Sequence, residues 1–164
     1  MSARTIKVAP VRKSIRIEAP QVHAFEVFTA RIGKWWPASH HIGAADMREA
    51  VIELRAGGRW YEKGVDGRET EWGKVLAFEP PARIVLSWHL NSQFKIDPGV
   101  RSEVEVRFIA EGGATRVELE HRLEAADAEA LRTTVEGPQG WAMLLGLYSN
   151  EAAKPNPMIA RRKQ

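Results

Sequence analysis

The stretch EVEVRFIAEGGATRVELEHR, residues 103–122, decides the fold. Val104, Val106 and Phe108 alternate with Glu103, Glu105 and Arg107, the period of a strand with one buried face. Gly112-Gly113 is a two-residue turn signal. Counting outward from that turn sets Phe108 against Val117, Val106 against Leu119 and Val104 against His121. The opposite face sets Arg107 against Glu118 and Glu103 against Arg122. Apolar meets apolar and charge meets opposite charge, whereas a slip of one residue would turn both apolar sets into water.

Working upstream, Val11, Ile15 and Ile17 share one parity and mark a first strand over Val11–Glu18. Pro20 then stands where a first helical turn tolerates it. Val22, Phe25, Phe28 or Thr29, and Ile32 recur at helical spacing, Gly33 breaks the pattern, and Trp35-Trp36-Pro37 ends a second short turn. Residues 38–49 show no period and read as a loop. From Ala50 strand follows strand: Ile52 and Leu54, then Trp60 and Glu62, then Trp72, Lys74, Leu76 and Phe78 on one face, then Ile84, Leu86, Trp88 and Leu90. Tight connections would set Trp60 opposite Trp72 and Lys74 opposite Trp88, a cation–π geometry.

Downstream of the hairpin, Asp127 caps a helix to about Val135, and Gly137 stops it. In the last helix Trp141, Leu144, Leu145 and Tyr148 fall at i, i+3, i+4 and i+7, one apolar stripe. The expected fold is α+β: an antiparallel sheet of seven strands gripping the C-terminal helix. A single domain is expected over 11–152, with residues 1–10 and 153–164 as polar, flexible tails.

Composition narrows the function. The 24 Lys and Arg against 21 Asp and Glu leave a net charge of +3, scattered except for Arg161-Arg162-Lys163. Nucleic-acid binding needs a clustered basic face, so it is not expected. Absence of cysteine removes disulfides, thiolate metal sites and a Cys nucleophile. No run approaches the ~18 apolar residues of a membrane span, and a cytoplasmic location is expected.

The signatures Phe25-x-x-Phe28-Thr29, Trp35-Trp36-Pro37, Gly57-Gly58-Arg59-Trp60, Glu71-Trp72-Gly73-Lys74-Val75, Glu79-Pro80-Pro81, Trp88 and Gly140-Trp141-x-x-Leu144-Leu145 carry a family resemblance. The chain resembles the helix-grip, START-like superfamily, and within it bacterial homologues of the heat-shock-protein-90 ATPase activator domain. The resemblance implies a curved sheet wrapped around the last helix with a cavity between. It also implies a small hydrophobic ligand, since relatives bind lipids, plant hormones or polyketides and some catalyse cyclisation or hydration.

Six tryptophans, contributed by sheet and helix alike, agree with an aromatic-lined cavity. The expected wall is Trp60, Trp72, Trp88 and Trp141, with Phe28, Trp36, Leu54, Phe108, Leu119, Leu145 and Tyr148 behind it. His121, Glu62 and Lys74 are the candidate polar handles, being titratable residues on inward faces. The favoured reading is a binder of a small apolar or aromatic molecule, with no cofactor. The alternatives are a cyclase, dehydratase or hydrolase with His121 as base and Glu62 as acid, and a chaperone-interaction module. No metal site is expected: in His40-His41 with Asp46 and His89, adjacent histidines rarely both turn to one ion. Ser87, Ser102 and Ser149 lack a nucleophile elbow. Met143 and Leu147 project from the other side of the last helix, near Phe94 and Ile96, so a weak homodimer contact is expected there.

Overall fold

In the computed structural model, which describes residues 6–93, 95–138 and 140–154, the 103–122 hairpin has the register read from its sequence. Strand β7 (Ser102–Glu111) pairs with β8 (Ala114–Arg122) so that Val104 faces His121, Val106 faces Leu119 and Phe108 faces Val117. Val104, Val106 and Val117 are wholly buried. On the outer face Arg122 reaches Glu103 at 3.1 Å. Arg107 and Glu118 are cross-strand partners as read, while the Arg107 guanidinium bonds Glu105 at 2.8 Å. Burial alone would raise the Glu105 carboxyl, but hydrogen bonds from Arg83, Arg122 and Arg107 hold it at about 2.

The remaining strands extend this hairpin into one antiparallel sheet of seven strands, ordered β2-β8-β7-β6-β5-β4-β3. Strand β2 (Val11–Ile17) lies at one edge and β3 (Met47–Ile52) at the other. Strands β4 (Arg59–Gly64), β5 (Glu69–Glu79) and β6 (Arg83–Trp88) fill the middle. The sheet curls around α4 (Trp141–Ala152), whose buried residues are the expected stripe of Trp141, Leu144, Leu145 and Tyr148, with Ala152. Helices α1 (Gln21–Thr29), α2 (Ile32–Trp35) and α3 (Ala128–Glu136) pack beside α4, completing an α+β helix-grip architecture. Among the described residues no helix is long and apolar enough to cross a membrane.

Several expectations need correction. A short strand β1 (Ile6–Lys7), in the expected N-terminal tail, pairs with β9 (Glu124–Ala125). The first helix breaks at Ala30-Arg31, and Gly33 lies inside α2. Val22 is 64% exposed, because α1 turns His23, Ala24, Phe25, Val27 and Phe28 inward. A strand over Met47–Ile52 and a 3₁₀ turn over Ala38–His40 occupy much of the stretch read as loop.

The largest departure is in β5. Bulges between Trp60 and Tyr61 against β4, and between Val75 and Ala77 against β6, each insert one residue. An inserted residue flips the face of everything beyond it. Trp72 and Val75 therefore point inward while Lys74 and Leu76 point out. Trp60 sits opposite Gly73, not Trp72, and Lys74 pairs with Glu71 at 3.1 Å instead of stacking on Trp88. The Lys74 backbone N–H donates to Ser87 Oγ at 2.7 Å, which accounts for a serine buried in this strand pair.

Met143 and Leu147 also differ from expectation. Both are half-buried and packed against the core, so folding itself covers much of the second face of α4. Ile96 is exposed, and Phe94 lies outside the described residues.

The β5 bulge depends on Gly73, where an ideal Cβ would lie 2.0 Å from the Ser87 carbonyl oxygen. Gly73→Ala is expected to destabilise the protein by at least ~2 kcal/mol, as overpacking against fixed backbone does. Gly146 is exposed within α4, and a Cβ there meets nothing within 4 Å. Gly146→Ala is expected to be neutral or to stabilise by up to ~1 kcal/mol through helix propensity. Urea midpoints of the two variants check the pair of outcomes.

Candidate functional site

The inward faces of these elements bring five tryptophans into a closed circuit. Trp36 lies 5.2 Å from Trp72 between ring centroids, Trp72 5.4 Å from Trp60, and Trp60 5.8 Å from Trp88. Trp88 lies 5.8 Å from Trp141, and Trp141 6.3 Å from Trp36. A buried indole N–H wants an acceptor, and the acceptor it finds fixes the ring's orientation. Trp72 donates to Glu62 Oε1 at 2.9 Å, Trp88 to the Leu90 carbonyl at 2.9 Å, and Trp141 to His121 Nδ1 at 2.9 Å. Trp36 makes a longer bond, 3.4 Å, to the His40 carbonyl. Of the five indole N–H groups in the circuit, that of Trp60 is the one left without a partner among the described residues.

Rings held in this way do not fill the volume between them. A cavity of about 210 Å³ opens beside Trp36, Trp72, Trp88 and Trp141. Leu90, Val135 and Leu144 complete its apolar wall, and Ser39, His40, His41 and Ile42 form one side. Gly140, at the start of α4, also lines it. A Cβ at Gly140 would lie 2.0 Å from the Val135 carbonyl oxygen, so only glycine lets α4 begin this close to the end of α3.

Of the expected wall, Trp36, Trp72, Trp88 and Trp141 line the cavity. Trp60, Phe28, Phe108, Leu119, Leu145 and Tyr148 are core residues packed around it. Phe28 meets Phe108 at 5.7 Å and Tyr148 at 5.2 Å in edge-to-face contacts, and the Tyr148 hydroxyl donates to the Ala24 carbonyl at 2.6 Å. Burial pushes that phenol above its ordinary range. Leu54 is not in the wall: it lies past the end of β3, is 50% exposed and faces an outer groove with Val22, Phe78 and Pro80. Lys74 is excluded from the interior by the β5 bulges.

His121 and Glu62 do point inward, as their parity implied, but both lie behind the cavity wall. His121 is fully buried, with its ring 4.7 Å from Trp88 and its Nδ1 accepting from Trp141. Burial, assisted by the charge of Arg122, lowers the imidazole from its ordinary 6.5 to about 3, so the ring is neutral. Glu62 is 1% exposed. Its Oε1 accepts from the backbone N–H groups of Ile42 and Gly43 and from Trp72 Nε1. Neither residue presents a free group at the cavity surface, so an acid–base pair built from them is not supported.

The polar residues that do line the cavity, Ser39, His40 and His41, come from the segment read as structureless. The signal that could have found them is the Pro37 that follows Trp36, the extended residue from which the 3₁₀ turn over Ala38–His40 starts. Among the described residues, no group of His, Asp and Glu is arranged to hold a metal ion.

Comparison with known proteins agrees with this architecture. The family model described as "Activator of Hsp90 ATPase homolog 1-like protein" matches residues 18–146. A solved structure described as an anthrahydroquino-gamma-pyrone synthase, Txn09, is 34% identical, with 88% of this chain and 97% of that chain covered and a TM-score of 0.58. CalC from Micromonospora echinospora, described as a self-sacrificing resistance protein, is 29% identical over 88% of this chain and 94% of its own, with a TM-score of 0.67. A protein from Rhodobacter sphaeroides, 20% identical over 93% of each chain with a TM-score of 0.61, shares the fold. No curated protein matches the chain. With four-fifths of its length matched by the family model and the helix-grip sheet in place, the chain belongs to the Activator of Hsp90 ATPase homolog 1-like family of the START-like superfamily.

Proposed function

We propose that the chain binds a compact, fused-ring aromatic molecule in the cavity bounded by Trp36, Trp72, Trp88 and Trp141. One observation carries this reading: four indoles border an open volume of about 210 Å³ while each spends its N–H on a protein acceptor. The wall therefore offers ring faces and edges to a guest and asks for carbon in return. A dry engineered cavity of ~150 Å³ takes benzene, and drug-sized sites run to ~300–1,000 Å³. The volume here suits a small ring system, not an extended lipid chain. Similarity to a protein described as an anthrahydroquino-gamma-pyrone synthase supports the aromatic class.

A ring system the size of a tryptophan side chain buries about 150–250 Å². At ~25 cal/mol per Å² that contributes about 4–6 kcal/mol before ordering costs, an affinity from tens of micromolar to millimolar. Calorimetric titration with naphthalene is expected to show saturable binding in that range. Leu144→Phe, which fills the cavity from α4, is expected to weaken it at least tenfold with the melting temperature held within a few degrees. Unchanged binding in that variant would place the guest elsewhere.

A second reading, ring closure catalysed in the same cavity, also draws on the 34% identity to a synthase. It would have to work through Ser39, His40 or His41, because His121 serves as the buried acceptor that orients Trp141. That role has a pH signature. The unfolded chain takes up a proton near 6.5 that the folded imidazole, at about 3, refuses. The stability it contributes is present above about pH 6.5 and falls as pH drops toward 3. Between pH 7 and 5 the expected loss is about 2 kcal/mol. His121→Gln keeps a side-chain carbonyl for Trp141 and is expected to flatten that part of the urea-midpoint profile.

A further inference from the structure

Three polar side chains interrupt the apolar lining of the cavity: Ser39, His40 and His41. Ser39 Oγ and His40 Nδ1 lie 3.2 Å apart and engage each other. His41 is bonded differently. Its Nδ1 lies 2.9 Å from the Gly43 carbonyl oxygen. A carbonyl can only accept, so Nδ1 carries the proton, and Nε2 of the neutral ring is left as an acceptor.

The loop that holds this ring is itself held. Gly43 gives its N–H to Glu62 Oε1 at 3.1 Å, and the Ile42 N–H goes to the same oxygen. The carboxylate thus fixes the two residues after His41, and Gly43 returns its carbonyl to the imidazole. There is no slack in the relay: a Cβ at Gly43 would lie 2.8 Å from Thr70 Oγ1 and 3.3 Å from Glu62 Oε2. Trp72 donates to the same Glu62 oxygen, so the imidazole and one indole of the wall are positioned by one buried atom. A ring oriented in this way loses little freedom when a ligand meets it.

The geometry points to His41 Nε2 as the acceptor for a ring hydroxyl of the bound molecule, which makes the site selective for phenolic or enolic aromatics over plain hydrocarbons. This rests on the aromatic-cavity reading above. Among the cavity-lining side chains the four indole N–H groups are spent, and Ser39 and His40 engage each other. The imidazole of His41 is the lining ring whose second nitrogen is left as an acceptor by its bond to the Gly43 carbonyl. Glu62 acts as a positioning residue, through the backbone of Ile42 and Gly43.

Titrating wild-type protein and His41→Phe with 2-naphthol and with naphthalene tests the assignment. Wild type is expected to prefer 2-naphthol by about tenfold, the scale of one net hydrogen bond in an apolar site. His41→Phe is expected to bring that ratio close to one, the ratio being read within the variant itself. In ¹⁵N-labelled wild-type protein, the His41 Nε2 resonance is expected to shift on adding 2-naphthol and to stay in place with naphthalene. This second readout stands even if the variant does not fold. Binding of both probes with no preference, or a preference that survives His41→Phe, or an unmoved Nε2 resonance, overturns the hydroxyl assignment and leaves the cavity reading intact. Absence of binding by either probe overturns the cavity reading itself.

Discussion

Glu62 places a carboxylate where water hardly reaches it, and a buried carboxylate is costly unless donors surround it. Three donors converge on its Oε1: the backbone N–H groups of Ile42 and Gly43, and the indole of Trp72. Two of these belong to the segment between the 3₁₀ turn and β3, and one belongs to the sheet itself. The carboxylate is thus the latch between the two sides of the cavity. Removing it would leave the buried Trp72 N–H unpaired, at a cost of ~1–3 kcal/mol, together with the part-buried N–H groups of Ile42 and Gly43. Trp72 would then be free to turn into the space it now borders.

The same logic extends around the cavity. Indole is the largest side chain and carries one donor, so its position is set twice, by packing and by hydrogen bonding. Leu90, His121 and Glu62 each accept from one indole, and the His40 carbonyl takes the fourth. Leu90 and His40 themselves line the cavity, His121 and Glu62 do not, and between them these acceptors hold the four rings in place around the void. A core of leucines, with no donors to satisfy, would collapse into it.

How much of this the sequence disclosed depended on the kind of signal. The 103–122 hairpin was legible because alternation, turn and cross-strand charge all agreed, and each of these is local. The α4 stripe was legible for the same reason. The order of elements already suggested a seven-stranded sheet gripping the last helix; the family resemblance added the curvature of that sheet and the cavity beneath it. The β5 strand misled, because a bulge adds a residue without changing composition: Trp72, Lys74, Leu76 and Phe78 alternate perfectly in sequence and part company in space. Parity correctly turned His121 and Glu62 inward, yet it says nothing of depth, and both lie one layer behind the surface a ligand would touch. Ser39 went unread, and His40 and His41 were weighed only as metal ligands, because their segment is held by a long-range contact to Glu62, twenty residues away, and not by any period of its own.

The claim on which the account stands is that the guest sits among the four indoles. The indole N–H resonances of a ¹⁵N-labelled sample report it directly, since Trp35, Trp36, Trp72, Trp88 and Trp141 each have an acceptor of their own. On titration with naphthalene the account predicts shifts in Trp36, Trp72, Trp88 and Trp141. The Trp35 signal, tied to the Val27 carbonyl at 2.9 Å and outside the cavity lining, should stay still. Shifts confined to Trp35, or binding that leaves all four cavity indoles unmoved, would contradict it.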